Sequence, residues 1–532
     1  MNAVLAEADS HGAWLEPLFD VAFTAPDGMA RLRQLILTLA MQGKLVPQLA
    51  SEAPASKLLK QIAAEKSAPA RKLHKVSESS PISDSEKPYT IPDSWEWVRL
   101  GEITDIIRGI TFPASEKTKE PAPGRIACLR TANVQKEIEW QDLLYIDRKF
   151  MSKSSQLIRR DDIVMSMANS RELVGKVAIV KDMPVEEATF GGFLGVLRTH
   201  KVMPLFVLHL LNTKYARGTL VDAASQTTNI ANISLGKLNP FLVPLPPLEE
   251  QKRIVARIDE LLSCCDELES LRSAQESKRR GARAAAVRQW LAGDAAAAVL
   301  LGEHFATLIS TREDVAELRK AVLQLAVMGK LVAHARPIPN EPLKELASKI
   351  GSGSTPSGGK EAYQKSGIPL IRSMNVHFDG FKHDGLAFIN DAQAVKLNNV
   401  IVQAGDVLLN ITGASIGRVT IAPDEMSGAR VNQHVCIIRS TEKLDARYLQ
   451  ACLASPFTQE RIFDVQVGAT REALTKSMIE KFQIPLPPLP EQRRIIARMD
   501  ELMRLCDTLE SLAKEAEGKQ VELLDAVMAR AH

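Results

Sequence analysis

PLPPLEEQKRIVARIDELLSCCDELESL runs from Pro244 to Leu271, and PLPPLPEQRRIIARMDELMRLCDTLESL from Pro485 to Leu512. The two stretches agree at 20 of 28 positions, so the chain carries an internal duplication. Each opens with a proline-rich turn that a helix interior excludes, then passes through Glu-Gln-x-Arg into an apolar stripe. Ile258, Leu261, Cys265 and Leu268 follow steps of three, four and three residues, and Met499, Leu502, Cys506 and Leu509 repeat them. That spacing is the seam of a coiled coil and equips the two copies to pack on each other. The helical pattern continues past each seam, through SAQESKRRGARAAAVRQWL to about Trp290 and through AKEAEGKQVELLDAVMARA, interrupted only by Gly281 and Gly518. Each helix is then roughly 40 residues, or about 60 Å, long.

A second repeat precedes each of these. PDGMARLRQLILTLAMQGKLV (Pro26–Val46) reads as a helix capped at Gly43, and VAELRKAVLQLAVMGKLV (Val315–Val332) repeats its frame and ends at Gly329. Each half of the chain therefore runs short helix, variable region, proline turn, long helix. The expected divisions are a helical region at 1–46, a linker at 47–90, a variable domain at 91–243 and a long helix at 244–293. A second helical region at 294–336, a second variable domain at 337–484 and a second long helix at 485–532 follow. The linker includes a Ser-, Lys- and Pro-rich stretch, from about Ser51 to Lys87, that predicts a short helix and a mobile segment. Both variable regions are short apolar runs broken by Gly, Pro and Asn, the texture of a compact α+β or mainly β domain. They align in order: RTANV (Arg130–Val134) with RSMNV (Arg372–Val376), and DDIVMSMANSRELVGKVAIV (Asp161–Val180) with GDVLLNITGASIGRVTIAP (Gly405–Pro423).

Composition narrows the function classes. The 532 residues carry 67 Lys and Arg against 64 Asp and Glu, a formal charge of +3, so any nucleic-acid contact comes from local clusters. The six cysteines (Cys128, Cys264, Cys265, Cys436, Cys452, Cys506) include no CxxC pair and read as reduced core residues. No run of 18 apolar residues and no secretory signal is present, which predicts a cytoplasmic protein.

Catalytic motifs do not emerge. GSGSTPSGGK (Gly351–Lys360) resembles a phosphate-cradling loop, but Pro356 interrupts it, its spacing is wrong and Glu361 follows the lysine; a turn or a nucleic-acid-facing loop fits better. The Pro-Pro pairs lack the Asn and aromatic residue of an adenine methyltransferase motif and read as turns into helices. His377 and His383 lie close in sequence without further metal ligands, and no HExxH or paired metal cysteines occur. What remains is polar loop material. In the first domain it comprises Arg130, Asn133, Ser166, Asn169, Arg171, Lys176, Thr227, Thr228 and Asn229. In the second it comprises Arg372, Asn375, His377, Asn410, Thr412, Arg418, Gln433, Thr470 and Arg471. Arg pairs with guanine and Asn or Gln with adenine, while Ser, Thr and Lys hold phosphates. Taken singly, each is more often an ordinary solvated or turn-stabilising group. Asn133 and Asn375, present in both copies, fit a fold-holding role, whereas residues that differ between copies are better placed to read bases.

Two variable domains, each closed by Pro-Leu-Pro-Pro-Leu-x-Glu-Gln-x-Arg-Ile and a long helix, with GDVLLNITGASIGR and NQHVCIIR in the second, resemble the specificity subunit of Type I restriction-modification systems. The match is looser in the first domain, where MANSRELVGK replaces the glycine-containing pattern. LRQLILTLAMQGKLV is similar to the subgroup often called Type IB. The resemblance implies an α+β chain with two tandem α/β target-recognition domains separated by long antiparallel coiled-coil helices, in a pseudo-twofold internal repeat. It implies a non-catalytic subunit whose two domains each read half of a split double-stranded DNA site, with half-sites about one DNA turn apart. Two methyltransferase subunits and two motor-nuclease subunits are its implied partners, and S-adenosylmethionine, ATP and Mg²⁺ belong to them. The alternatives are a coiled-coil scaffold with two protein-binding domains, and an enzyme with an unrecognised core.

Overall fold

Proline removes a backbone donor and resists the helix interior, so the Pro-Leu-Pro-Pro runs mark where strand gives way to helix. A computed structural model describes residues 16–66, 81–222, 224–226, 231–304, 308–333, 336–356, 363–467 and 473–531. Its long helices span Leu248–Ala292 (45 residues) and Leu489–Ala531 (43 residues). A helix at Glu16–Thr24, which the sequence pattern did not single out, precedes the first short helix at Gly28–Met41; Arg312–Val327 is its counterpart in the second half. Gly43 (φ 72°) and Gly329 (φ 68°) end them in the left-handed region. The amides of Lys44 and Lys330 then donate to Leu39 and Leu325 O, both at 2.9 Å, the same C-terminal motif made twice. Ala55–Lys66 is the short helix expected after the first of these. Five of the six cysteines are buried and Cys264 half-buried, all as free thiols, and burial pushes Cys128, Cys436 and Cys452 up to about 12.

The first domain contains β1 (Glu96–Arg99), β2 (Thr104–Arg108), β3 (Arg125–Leu129), β4 (Leu144–Asp147), β5 (Ile163–Ser166), β6 (Ala168–Asn169), β7 (Val177–Ile179), β8 (Ala188–Phe190), β9 (Leu194–Thr199), β10 (Ser225–Gln226), β11 (Ala231–Asn232) and β12 (Leu242–Leu245). They form an antiparallel sheet in the order β2-β9-β5-β7, a mixed sheet β4-β3-β8, a ribbon β1-β12 and a small sheet β10-β11-β6. The second domain contains β13 (Asn340–Pro342), β14 (Ala347–Ser352), β15 (Ile368–Ile371), β16 (Val376–His377), β17 (Gly380–Phe381), β18 (Ala387–Ile389), β19 (Val407–Asn410), β20 (Val419–Ile421), β21 (Arg430–Val431), β22 (Val435–Ser440) and β23 (Gln483–Pro485). Its sheets β14-β22-β19-β20 and β18-β15-β21 and its ribbon β13-β23 repeat the first domain strand for strand, parallel pairs included.

Alternation along the central strands explains the layering. In β5, Ile163 and Met165 face a core shared with the helices, while Val164 faces the three-stranded sheet. In β19, Val407 and Leu409 face the helices and Leu408 the other way. Each four-stranded sheet is thus buried on both faces.

By packing, the chain divides into two compact units. One runs to Ala274 and takes in the stretch from Glu517; the other is Gln275–Ala516. In the first, Ile258, Leu261 and Cys265 are buried and Leu268 packs at their edge, in a core with Leu32 and Ile36 of the short helix and Leu524 of the second long helix. In the second, Met499 is buried and Leu502 packs against a core with Val322 and Ala326, while Cys506 and Leu509 share a cluster with Val315 and with Ala286 of the first long helix. Each seam therefore lies against the short helix of its own repeat and the far end of the other long helix. Partners descend along one long helix as they ascend along the other, so the two are antiparallel.

Arg33 forks onto Asp266 (2.6 Å) and Glu269 (2.8 Å), and Arg319 onto Asp507 (2.6 Å) and Glu510 (3.0 Å), the same brace in each repeat. Its carboxylates are more than a third exposed, so each contact contributes about 1 kcal/mol at most, against roughly 1.5–3 kcal/mol for each buried seam side chain. Apolar burial holds the bundle and the brace fixes its register.

The Glu-Gln of the twin stretches has a specific role. Gln251 is fully buried; its amide donates to Pro246 O (2.8 Å) and its carbonyl accepts from the Met203 amide (3.0 Å), at the start of the helix Pro204–Leu211. Gln492 repeats this, donating to Pro487 O and Lys443 O (both 2.9 Å) and accepting from the Asp445 amide (2.8 Å), which begins the helix Ala446–Ala454. Gln492→Ala should cost about 2–4 kcal/mol through the buried groups it leaves unpaired. Urea unfolding should register the loss, with faster amide exchange at residues 443–448; unchanged exchange there would refute the clamp.

Candidate nucleic-acid interface

The same end of each four-stranded sheet gathers most of the polar residues singled out from sequence. In the second domain this end comprises the close of β14, the close of β19, the start of β20 and the start of β22. A tight loop joins β19 to β20: the Asn410 amide donates to Arg418 O and the Gly417 amide to Asn410 O, both at 2.8 Å. In the first domain Ser166 and Lys176 make the same pair and the Gly175 amide closes on Ser166 O, again at 2.8 Å. Gly175 (φ 77°) and Gly417 (φ 85°) are both left-handed, which a side chain would strain.

The candidate residues separate by what they touch. Asn133 and Asn375 are buried and make the same three bonds. Each carbonyl accepts from the backbone amide of Arg130 or Arg372 (2.9 and 3.0 Å), and each amide donates to two carbonyls of the following loop. Their side chains are used up in holding the turn. Ser166 (1 % exposed) and Asn410 (0 %) are also enclosed; Asn410 donates to Ser373 O at 2.8 Å and ties that turn to the sheet. Ser166 and Asn410 stand among the DNA-contact candidates because polar residues in Gly-containing loops resemble readers, and Asn375 stands with them although its presence in both copies fits a fold-holding role; the burial of all three makes them framework.

The remaining described candidates reach solvent. Arg130 pairs with Asp142 (2.7 Å) and Arg171 with Asp222 (3.2 Å). Lys176 donates to the Gln135 carbonyl, and Asn169 lies in β6 beside β11. Arg372 stacks over the Tyr363 ring at 5.2 Å and bonds Gly385 O, while His377 Nε2 lies 3.0 Å from Met374 O. Arg418 is half-buried and has no side-chain partner among the described residues. Thr412 and Gln433 join a network that sequence reasoning had only half found: Thr412 Oγ1 meets His434 Nδ1, His434 Nε2 lies 2.9 Å from Gln433 Nε2, and Thr355 donates to Gln433 Oε1. Thr227, Thr228, Asn229, Thr470 and Arg471 lie outside the described residues, as do Ser357–Lys360 of the Gly-rich run.

Beside this network a half-open cleft of about 530 Å³ is lined by Lys349, Lys476, Ser348, Ser352 and Asn399 and, among the described residues, by no carboxylate. Neither lysine was singled out from sequence, because each is isolated along the chain. Among the described residues no group of three or more His, Cys, Asp or Glu side chains is arranged to hold a metal ion, and no helix is long and apolar enough to cross a membrane.

Comparison with known proteins bears on what these loops face. A family model described as the Type I restriction modification DNA specificity domain matches twice, at residues 92–276 and 340–518. The Type I restriction enzyme EcoAI specificity subunit of Escherichia coli is 28% identical, over 94% of this chain and 93% of its own. The EcoEI specificity subunit of Escherichia coli is 25% identical with the same coverage. A solved chain from a study of complex assembly and conformational transition of the type I R-M system superposes with a TM-score of 0.55 at 21% identity, over 84% of this chain and 99% of that one.

Burial predicts opposite outcomes for two substitutions. Asn375→Ala should cost about 2–4 kcal/mol and open the 376–386 loop to limited proteolysis, whereas Arg418→Ala should leave the melting curve within roughly 0.5 kcal/mol of the parent. Equal destabilisation by both would contradict this division.

Proposed function

Because this chain belongs to the family of Type I restriction-modification DNA specificity subunits, matched twice along its length, we propose that it reads a bipartite DNA site, one half with each domain. In doing so it directs adenine methylation and restriction by partner subunits. The observation that carries this is a framework repeated bond for bond, with different side chains at the same sheet end. Asp162 and Arg198 form a bidentate pair at 2.7 Å and Asp406 and Arg439 the same pair at 2.8 Å at one end of the four-stranded sheets, yet the loops at the other end share few polar residues. A duplicated scaffold with divergent loops suits two readers of two different half-sites.

In this reading two methyltransferase subunits dock on the helical repeats and two motor-nuclease subunits complete the assembly, in the cytoplasm. S-adenosylmethionine, ATP and Mg²⁺ are used by those partners, and base flipping for adenine methylation occurs there. Two candidate cations of the first domain, Arg130 and Arg171, are paired with carboxylates, in keeping with a net charge of only +3. The partners then supply much of the grip on phosphates, and this chain supplies discrimination.

Two results test this. The isolated chain should bind DNA weakly and with strong salt dependence, and specifically once the methyltransferase joins; equal specific affinity with and without it, titrated at one salt concentration, would refute the division of labour. Exchanging Pro339–Ile484 for the matching region of a relative should alter one half of the methylated motif, read by methylome sequencing. A change in both halves would show that the domains do not read independently, and an unchanged methylome on deleting the gene would favour a protein-binding scaffold.

A further inference from the structure

The two domains can be laid on each other at the readout end by strand register alone. Leu129 faces Phe190 in the first and Ile371 faces Val431 in the second, while Ser166 faces Leu194 and Asn410 faces Val435. Gly191, Gly192 and Phe193 therefore occupy the positions of Asn432, Gln433 and His434. The preceding loop matches as well. A Cβ at Gly109 would lie 2.1 Å from Gly191 O, and one at Gly353 1.8 Å from Val431 O, so both glycines permit a close approach to this loop, at carbonyls one residue apart in register. Two residues on, Thr111 corresponds to Thr355. Its hydroxyl lies where a Cβ at Gly192 would meet it at 3.1 Å, as Thr355 meets Gln433. The threonine is present twice, and the carboxamide beside it once.

In the second domain that carboxamide is exposed but not free to turn. Thr355 donates to its oxygen, and its nitrogen lies 2.9 Å from His434 Nε2, whose other ring nitrogen meets Thr412. The loop beneath is pinned by backbone bonds from Asn432 to Ile371 O (3.1 Å), Gly353 to Asn432 O (3.1 Å) and Ile411 to His434 O (3.0 Å). With the imidazole proton on Nδ1 and given to Thr412, His434 Nε2 accepts from the amide. Gln433 then keeps one N–H and one carbonyl lone pair side by side, directed away from its supports. That pattern complements adenine, which offers N7 as acceptor beside the N6 amine, and opposes guanine, whose O6 would face the carboxamide oxygen.

We propose that Gln433 is the adenine-reading side chain of the second domain and that Thr355 and His434 are positioning residues that fix its donor–acceptor order. The first domain has no side chain at this position and presents the exposed Phe193 instead (65 % accessible), so its half-site is read by other groups. This rests on the reading of the chain as a DNA-specificity subunit.

The test uses the full chain with its methyltransferase partner, the motif being defined by methylome sequencing and affinities measured on DNA carrying every base at each position. Gln433→Ala should lose roughly 5- to 150-fold of discrimination at one A·T pair of the half-site assigned to the second domain by exchange, leaving the other half-site unchanged. Gln433→Glu should move preference at that pair toward C·G, since a carboxylate accepts from cytosine N4. Thr355→Val and His434→Leu should blur the same pair, and Thr355→Ser should restore it, which a merely structural role would not do. Uniform weakening across all sequences would make Gln433 a phosphate contact and overturn the proposal, as would an effect in the first half-site or none at all. A parent protein that marks no bipartite motif would instead sink the specificity-subunit reading beneath it.

Discussion

The carboxamides of Gln251 and Gln492 are fully buried at the first turn of the two long helices, each bonded to a proline carbonyl behind it and a helix-starting amide across from it. The rest of the architecture depends on this clamp because a long helix magnifies any error at its origin. Over a 45-residue helix, a misdirection of about 10° displaces the far end by roughly 10 Å. The far ends are not idle: Leu524 completes the first unit's core, and Ala286 belongs to a smaller cluster of the second. Proline suits the turn for the same reason it excludes helix, having no N–H to satisfy and a carbonyl free to accept.

This explains which parts of the chain were legible. The short and long helices, their glycine caps and the duplication are local patterns of apolar spacing and backbone preference, and the structure places them within a few residues of where the sequence does. The strands were legible only as texture. Ile163–Ser166 and Val407–Asn410 are buried on both faces, so the alternation that identifies a strand is hidden in a continuous apolar run. Sheet order was beyond reach, because parallel pairing of β3 with β8 and β15 with β21 joins residues some 60 positions apart.

The candidate site was legible by residue type and not by exposure. Asn410 and Arg418 are both polar residues near glycines, and nothing in the sequence separates the one that is enclosed from the one that is not; only Asn375, repeated at Asn133, carried a signal of its fold-holding role. Burial at a sheet end is set by strands distant in sequence: Asn410 is covered because Ser373 packs over it. His434 escaped notice for the converse reason. Beside Val435 it reads as the start of a strand, and its link to Gln433 and Thr355 exists only once β14 and β22 are paired.

Duplication offers a physical way to tell the two classes apart. Where both copies keep the same side chain with the same partners, as in Asp162 with Arg198 and Asp406 with Arg439, the interaction answers to the fold; removing one partner of such a buried pair costs about 3–5 kcal/mol wherever the domain is used. Where the backbone matches to the residue and the side chain does not, as at Gly192 and Gln433, the fold places no demand on the difference. A glycine serves one copy at that position, so the carboxamide in the other is not needed to hold the loop. The two hydrogen bonds that orient it stabilise a conformation of the side chain rather than of the domain, and a side chain ordered in this way has already met part of the entropy cost of binding a group from outside the chain.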